Sequence, residues 1–232
     1  MKNEIVLTHI HLETPIVISE DSVKLLIVEN PSEFYKMVCD FNSQFDGGDG
    51  DFVFSANGEI VAAQKCGAII PNLFDFDLND KKVLNLLYKK LESVALGEKV
   101  TLFNELVSKT MCFIGEVAYN VPFLLDYDEI QPTEYFKQSS VKFAKTYDSL
   151  EEKIICYINA LIDLKNCDFF VFVNLKSVLN DEKLLKIYKH CQAEQVGLLL
   201  IEDGKRRKLL PCEKAVIITE DLCEILENYK ES

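Results

Sequence analysis

Apolar residues change their spacing twice along this chain, and the changes divide it into three stretches. The first reads as β structure. Residues Ile5 to His11 alternate, and Lys24 to Glu29 (KLLIVE) form an apolar run short enough for a buried strand. A helix is predicted directly after that run. Asn30 is placed to cap it, Pro31 takes its first helical position and Glu33 its first turn, while Phe34, Met37, Val38 and Phe41 mark one face. Asp46-Gly47-Gly48-Asp49-Gly50 predicts a loop. Beyond it Phe52 to Phe54, Glu59 to Ala63 and Ala68 to Ile70 read as short strands around Asn57-Gly58, a strong hairpin signal.

The middle stretch shifts to helical spacing. Val83, Leu84, Leu87, Leu91 and Val94 place a helix over Lys81 to Leu96, and Leu106, Phe113 and Val117 place another over Leu102 to Ala118. Ser149-Leu-Glu-Glu152 fits a capping box opening a third helix through Ile154, Ile155, Ile158 and Leu161. The pattern then returns to strands. Asp168 to Asn174 (DFFVFVN), Val196 to Glu202 (VGLLLIE) and Ala215 to Thr219 read as buried strands, with a helix over Asp181 to Glu194. Continuous apolar strands alternating with helices indicate a mainly parallel sheet covered on both faces. The expected fold is therefore α/β: a degenerate P-loop-like head made by residues 1–75 and 165–232, with an inserted α-helical leg over residues 76–164.

Charge and cysteine use narrow the partners. The net charge of −13 excludes coating of nucleic acid by the whole surface, so any DNA contact must be local, along a basic stripe or a ring of stripes made by oligomerisation. No apolar run approaches the length that spans a bilayer and the opening lacks a signal-peptide pattern, so a cytoplasmic, membrane-free protein is expected. The eight cysteines show no CxxC pair, and Cys112, Cys156 and Cys223 fall in apolar helical patterns; reduced, buried thiols are expected, not zinc ligands or disulfides.

Catalytic patterns are missing. Glu29-Asn30-Pro31-Ser32 stands where a P-loop would place glycines and a Lys-Ser/Thr pair, and Asn174 stands where a magnesium-holding carboxylate is usual. No nucleophile elbow or nuclease set occurs. His9 and His11 could share a strand face as a metal pair, but without further ligands nearby they read as ordinary strand histidines. Asp126, Asp128, Glu129 and Glu134 cluster between Pro122 and Pro132 or just beyond, a set of hard oxygens suited to calcium and equally readable as a solvated acidic loop. The charge then reverses. Lys137, Lys142, Lys145 and Lys153, interleaved with Tyr135, Phe136 and Phe143, suit contact with duplex phosphates or form a plain solvated face; Lys205, Arg206, Arg207 and Lys208 make a second basic run that could also meet a protein.

Leu12-Glu13-Thr14-Pro15-Ile16, the run Lys24 to Glu29 with its helix, Phe74-Asp75-Phe76-Asp77-Leu78-Asn79 before a leucine-rich helix, and Tyr127-Asp128-Glu129-Ile130 occur in that order. Phe170-Val171-Phe172-Val173-Asn174 and Leu199-Leu200-Ile201-Glu202 complete the series. Together they resemble the small accessory adaptation protein of type II-A CRISPR systems along most of the chain. The resemblance implies a non-enzymatic homotetrameric ring that binds double-stranded DNA ends without regard to sequence. It implies a structural Ca2+, with Asp126, Asp128 and Glu129 the first candidates and Glu134 beside them. It also implies channel-facing lysines at Lys137 and Lys142, and partnership in spacer acquisition with the integrase complex and RNA-guided nuclease of the same system. A nucleotide-binding P-loop-like NTPase, a nuclease and a purely protein-bridging adaptor are the alternatives.

Overall fold

The computed structural model describes residues 4–145, 147–205 and 207–229. Two compact units result, one from residues 78–145 and one from the segments on either side of them. The flanking unit opens with β1 (Ile5–Thr8), β2 (Ile16–Ile18), β3 (Val23–Val28) and α1 (Pro31–Phe45). Asn30 caps α1, its side chain accepting from the N–H groups of Ser32 and Glu33 at 3.1 Å each, and Pro31 sits where no N–H is required. β4 (Val53–Ala56) and β5 (Glu59–Ile60) follow, joined by Asn57 and Gly58 with φ of 52° and 82°. That is the primed hairpin turn an Asn-Gly pair favours. A single turn, α2 (Ala63–Cys66), leads into β6 (Gly67–Ile70). Residues 78–145 then supply α3 (Lys81–Leu96), α4 (Val100–Tyr119) and α5 (Pro132–Gln138). The chain returns through α6 (Leu150–Lys165), β7 (Phe169–Val173), α7 (Leu175–Val178), α8 (Asp181–Ala193), β8 (Gly197–Glu202), β9 (Glu213–Ile218) and β10 (Glu224–Asn228).

The strands make two sheets. One is antiparallel with order β2-β1-β4-β5; the other has order β10-β9-β3-β8-β7-β6, parallel throughout except for the β10 edge. β3 lies between β8 and β9, so Leu25 pairs with both Leu200 and Ala215. The two ends of the chain thus share one α/β unit, as expected. Every residue of β7 and β8 is buried, which explains why neither strand alternates in sequence. One core joins α1 to both sheets through Phe41, Phe54, Phe169, Val171 and Leu199. The Phe41 ring centroid lies 4.1 Å from that of Phe52 and 5.9 Å from that of Phe54. β6 approaches β7 so closely that a Cβ at Gly67 would fall 2.5 Å from the Phe169 ring.

The sequence expectations need three corrections. α6 belongs to the α/β unit and not to the helical insertion, which ends at Lys145 instead of residue 164; Ile154, Ile158 and Leu161 are buried, and Tyr157 meets Phe76 edge-on at 5.3 Å. α5, over Pro132–Gln138, is a helix of the insertion that the sequence patterns did not place, and it carries Lys137. Cys112 and Cys223 are exposed, Cys223 in the turn before β10; the buried thiols are Cys167 and Cys191. Burial pushes the Cys191 thiol up to about 12, which keeps it protonated. All eight cysteines are free. No helix among the described residues is long and apolar enough to cross a membrane.

Candidate nucleic-acid interface

Residues 78–145 contain nine lysines and nine acidic residues, so the whole chain's charge of −13 resides outside them. Within this neutral unit, the lysine-bearing segment is braced from several directions. Glu134 accepts from the Gln131 N–H at 3.4 Å and secures the start of α5. The Tyr135 hydroxyl donates to Thr110 Oγ1 at 3.0 Å, and its ring meets Phe103 edge-on at 6.0 Å. Beyond α5 the chain turns at Ser140, where φ is 52°. Val141 carbonyl then accepts from the Tyr88 hydroxyl at 3.0 Å, while Asn79 holds Phe143 at both its N–H (2.9 Å) and its carbonyl (3.2 Å). Lys137, Lys142 and Lys145 all project as exposed side chains from this fixed segment. Among the described residues none of the three forms an ion pair.

The other predicted cations lie elsewhere. Lys153, on α6 in the α/β unit, rests its ammonium 4.1 Å from the centre of the Phe76 ring, a contact that covers the charge. The basic run 205–208 is in large part engaged by partners within the chain. Lys205 pairs with Glu227 at 2.6 Å, and Arg207 binds Asp181 at 2.7 Å, the Leu179 carbonyl at 2.5 Å and the Lys176 carbonyl. Those groups are engaged inside the chain; Lys208 is exposed and Arg206 lies outside the described residues.

The acidic residues do not form a cage here. Asp126, Asp128 and Glu129 are exposed in a segment, 124–131, with neither turn nor bend to gather them, and Glu134 is committed to its helix cap. Among the described residues, the one trio of His, Cys, Asp or Glu whose ligand atoms lie within 4.8 Å of one another is His9, Asp40 and Asp51. The calcium implied by the resemblance therefore does not fit these four residues as they stand in one chain.

Nucleotide chemistry meets a closed site. In open α/β folds ligands bind beyond the carboxyl ends of parallel strands. There, the first amides of α1 are satisfied by Asn30, and Asn174 at the end of β7 accepts from the Asp203 N–H at 3.1 Å. Lys176, just beyond β7, donates its backbone N–H to Glu202, at the carboxyl end of β8, at 2.9 Å. Its buried ammonium meets both oxygens of Glu213, the first residue of β9, at 2.7 and 2.5 Å. The Tyr188 hydroxyl donates to Glu213 at 2.7 Å, and burial followed by the Glu213 charge holds that phenol firmly protonated. The cavity bounded by Lys176, Glu202 and Arg207 measures about 10 Å³, far below a nucleotide. No sequence pattern announced this buried network, because its members come from four separate elements.

Sequence reading also missed an apolar surface. α4 buries none of its residues: Phe113 is 67% and Tyr119 90% exposed, and Leu102, Leu106 and Val117 are exposed as well. Leu91, Val94, Leu102, Phe103, Leu106 and Phe136 line an open apolar cavity of about 550 Å³ within this unit.

Among solved structures, the chain is similar to a nucleotide-free ATP-binding cassette from an ABC transporter, with 13% identity, a TM-score of 0.48, and 96% of this chain and 90% of that one covered. It is also similar to a bacterial Atm1-family ABC exporter with ATP bound, at 11% identity and a TM-score of 0.45; 94% of this chain aligns, spanning 37% of the exporter. A curated relative, the CRISPR-associated protein Csn2 of Enterococcus faecalis, is 22% identical over 194 residues, which cover 82% of this chain and 86% of that protein. The family model described as "CRISPR-associated protein (Cas_Csn2)" matches residues 44–222. That span is well over half of the sequence, and the chain belongs to the Cas_Csn2 family of CRISPR-associated proteins.

Proposed function

We propose that this protein serves CRISPR spacer acquisition as a non-catalytic, sequence-independent binder of double-stranded DNA ends, working as a homotetrameric ring in the cytoplasm beside the integrase complex and the RNA-guided nuclease of its system. One observation carries the reading. The unit that bears the braced, unpaired lysines is also the unit whose longest helix leaves its apolar residues uncovered. An apolar face of that extent calls for a partner surface, and a second copy of the chain supplies one by symmetry. Copies joined through these units would bring several lysine segments together, so a locally positive channel is compatible with an acidic chain.

Lys137, Lys142 and Lys145 meet phosphates in this scheme as point charges and read no base edges, which makes binding indifferent to sequence. ATP hydrolysis is disfavoured by the occupied helix start at Asn30 and by the closed strand ends. The scheme takes no step through calcium. Asp126, Asp128 and Glu129 are carboxylates that an ion would have to gather from a loop or from a second copy. Calcium should raise the melting temperature of the native protein and not of Asp128→Asn if it does so.

The test pairs native mass measurement with gel shifts on linear and covalently closed duplexes of equal length. A mass four times 26.5 kDa and stronger retention of linear DNA are expected. A strict monomer at micromolar concentration, or a protein that bridges partners without salt-sensitive DNA binding, would overturn the proposal and favour an adaptor.

A further inference from the structure

We propose that His9, Asp40 and Asp51 form a site for one divalent first-row transition ion, zinc being the best match to the donors, which pins the end of β1 to α1 and to the entry of β4. The three residues come from separate places in the α/β unit: His9 just after β1, Asp40 on α1, and Asp51 just before β4. One ligand atom from each lies within 4.8 Å of the others. A tetrahedral zinc site with bonds of about 2.1 Å has edges of roughly 3.4 Å, so modest rotation of the two aspartates closes the set.

A cleft opens onto the trio. It measures about 270 Å³ and is also lined by His11, Glu33 and Cys39. His9 is 8% exposed, its ring packed at a tilt with its centroid 4.3 Å from that of Phe52, so the imidazole is held in place before any ion arrives. Its Nδ1 accepts only a long contact from the His11 N–H, at 3.3 Å, and among the described residues its other nitrogen has no hydrogen-bond partner. The side-chain carboxylates of Asp40 and Asp51 likewise form no hydrogen bond or ion pair among the described residues, and they bring two acidic groups beside the ring. Two carboxylates neutralise a divalent ion.

Donor chemistry selects the class of metal. An imidazole nitrogen with two carboxylates suits zinc and its neighbours, whereas calcium takes oxygen alone. His11 can complete the shell. It now rests against Glu33, Nε2 to Oε1 at 3.3 Å, and its ring centroid lies 5.4 Å from that of His9. The fourth position otherwise falls to water. The His9-x-His11 pair is visible in the sequence, but the two aspartates join it only after α1 and the 46–51 loop have folded.

The experiment uses the full chain, stripped with chelator, and titrates it with Zn2+ by calorimetry and with Co2+ by visible absorption. One ion per chain is expected, with a cobalt spectrum free of thiolate charge transfer. Asp40→Asn and Asp51→Asn should each weaken binding at least about tenfold, since losing even an outer-sphere partner commonly costs 10–100-fold. Neither carboxylate is buried, so both variants should fold, and zinc should raise the melting temperature of the native protein but not of the variants. Asp128→Asn should bind as the native chain does. Unchanged affinity in both aspartate variants, a thiolate-dominated cobalt spectrum, or no ion retained by the native chain would overturn the site.

Discussion

The two units dispose of their apolar residues in opposite ways. In the α/β unit Phe41, Phe169, Phe170 and Phe172 are fully buried, and two sheets share one core with α1. In residues 78–145 large side chains such as Phe113, Tyr119 and Phe123 are exposed, and only Leu78, Val83, Ala95 and Pro132 are buried. Charge divides the same way, −13 against zero. The first unit has what it needs to fold alone, while the second is organised around contacts it does not make with itself. Stability and assembly should therefore respond to different substitutions.

The largest effect is expected in the core. Phe41→Ala removes a ring fully enclosed by Phe45, Phe52 and Phe54 and should cost about 3–5 kcal/mol in denaturant unfolding. Phe113→Ala should change the stability of an isolated chain by under about 0.5 kcal/mol, yet shift the native mass toward smaller species. Equal destabilisation by both would erase the contrast between the units.

A second, smaller effect tests the buried charge pair of Lys176 and Glu213. Lys176→Met leaves the Glu213 carboxylate buried without its cation and should cost about 3 kcal/mol. Adding Glu213→Gln should recover part of that loss, because the stranded charge is then gone. No recovery in the double variant would mean that packing, and not charge pairing, holds this region.

The smallest concerns pH. The Lys183 hydrogen bond, at 2.9 Å, is the main cause that holds the Glu151 carboxyl below the usual glutamate range. Its contribution is present above that range and is lost as pH falls through the depressed value. Lys183→Met should flatten the acid limb of the stability profile and cost under about 1 kcal/mol at neutral pH, the ammonium being partly exposed. An unchanged acid limb would remove the pair from the account.

Much of the fold was legible because local chemistry and tertiary context agree. The Asn30 cap, the Asn57-Gly58 turn and the apolar runs of β3, β7 and β8 each carry their own signal. The limits were physical. Ser149 caps α6 as expected, but Glu152 returns its bond to Asp148 and not to Ser149, and nothing in the α6 pattern tells which unit its buried face will meet. β2 and β10 are short edge strands stabilised by neighbours. The candidate site was read less completely. Lys137, Lys142 and Lys145 stand exposed, but Lys205 and Arg207 are held by Glu227 and Asp181, partners twenty or more residues away. A charge run in sequence cannot show which of its members are already paired.

The division of labour between the units is tested most directly by the salt dependence of binding to a linear duplex, measured for the native chain, for Lys137→Ala/Lys142→Ala, and for Lys205→Ala. Each phosphate contact contributes about 0.9 to the slope of log affinity against log salt. The double variant should weaken binding with its oligomer intact and lower that slope by about 2, while Lys205→Ala leaves both unchanged. An unaltered slope in the correctly assembled double variant, or a loss caused by Lys205→Ala, would contradict the assignment of DNA contact to residues 78–145.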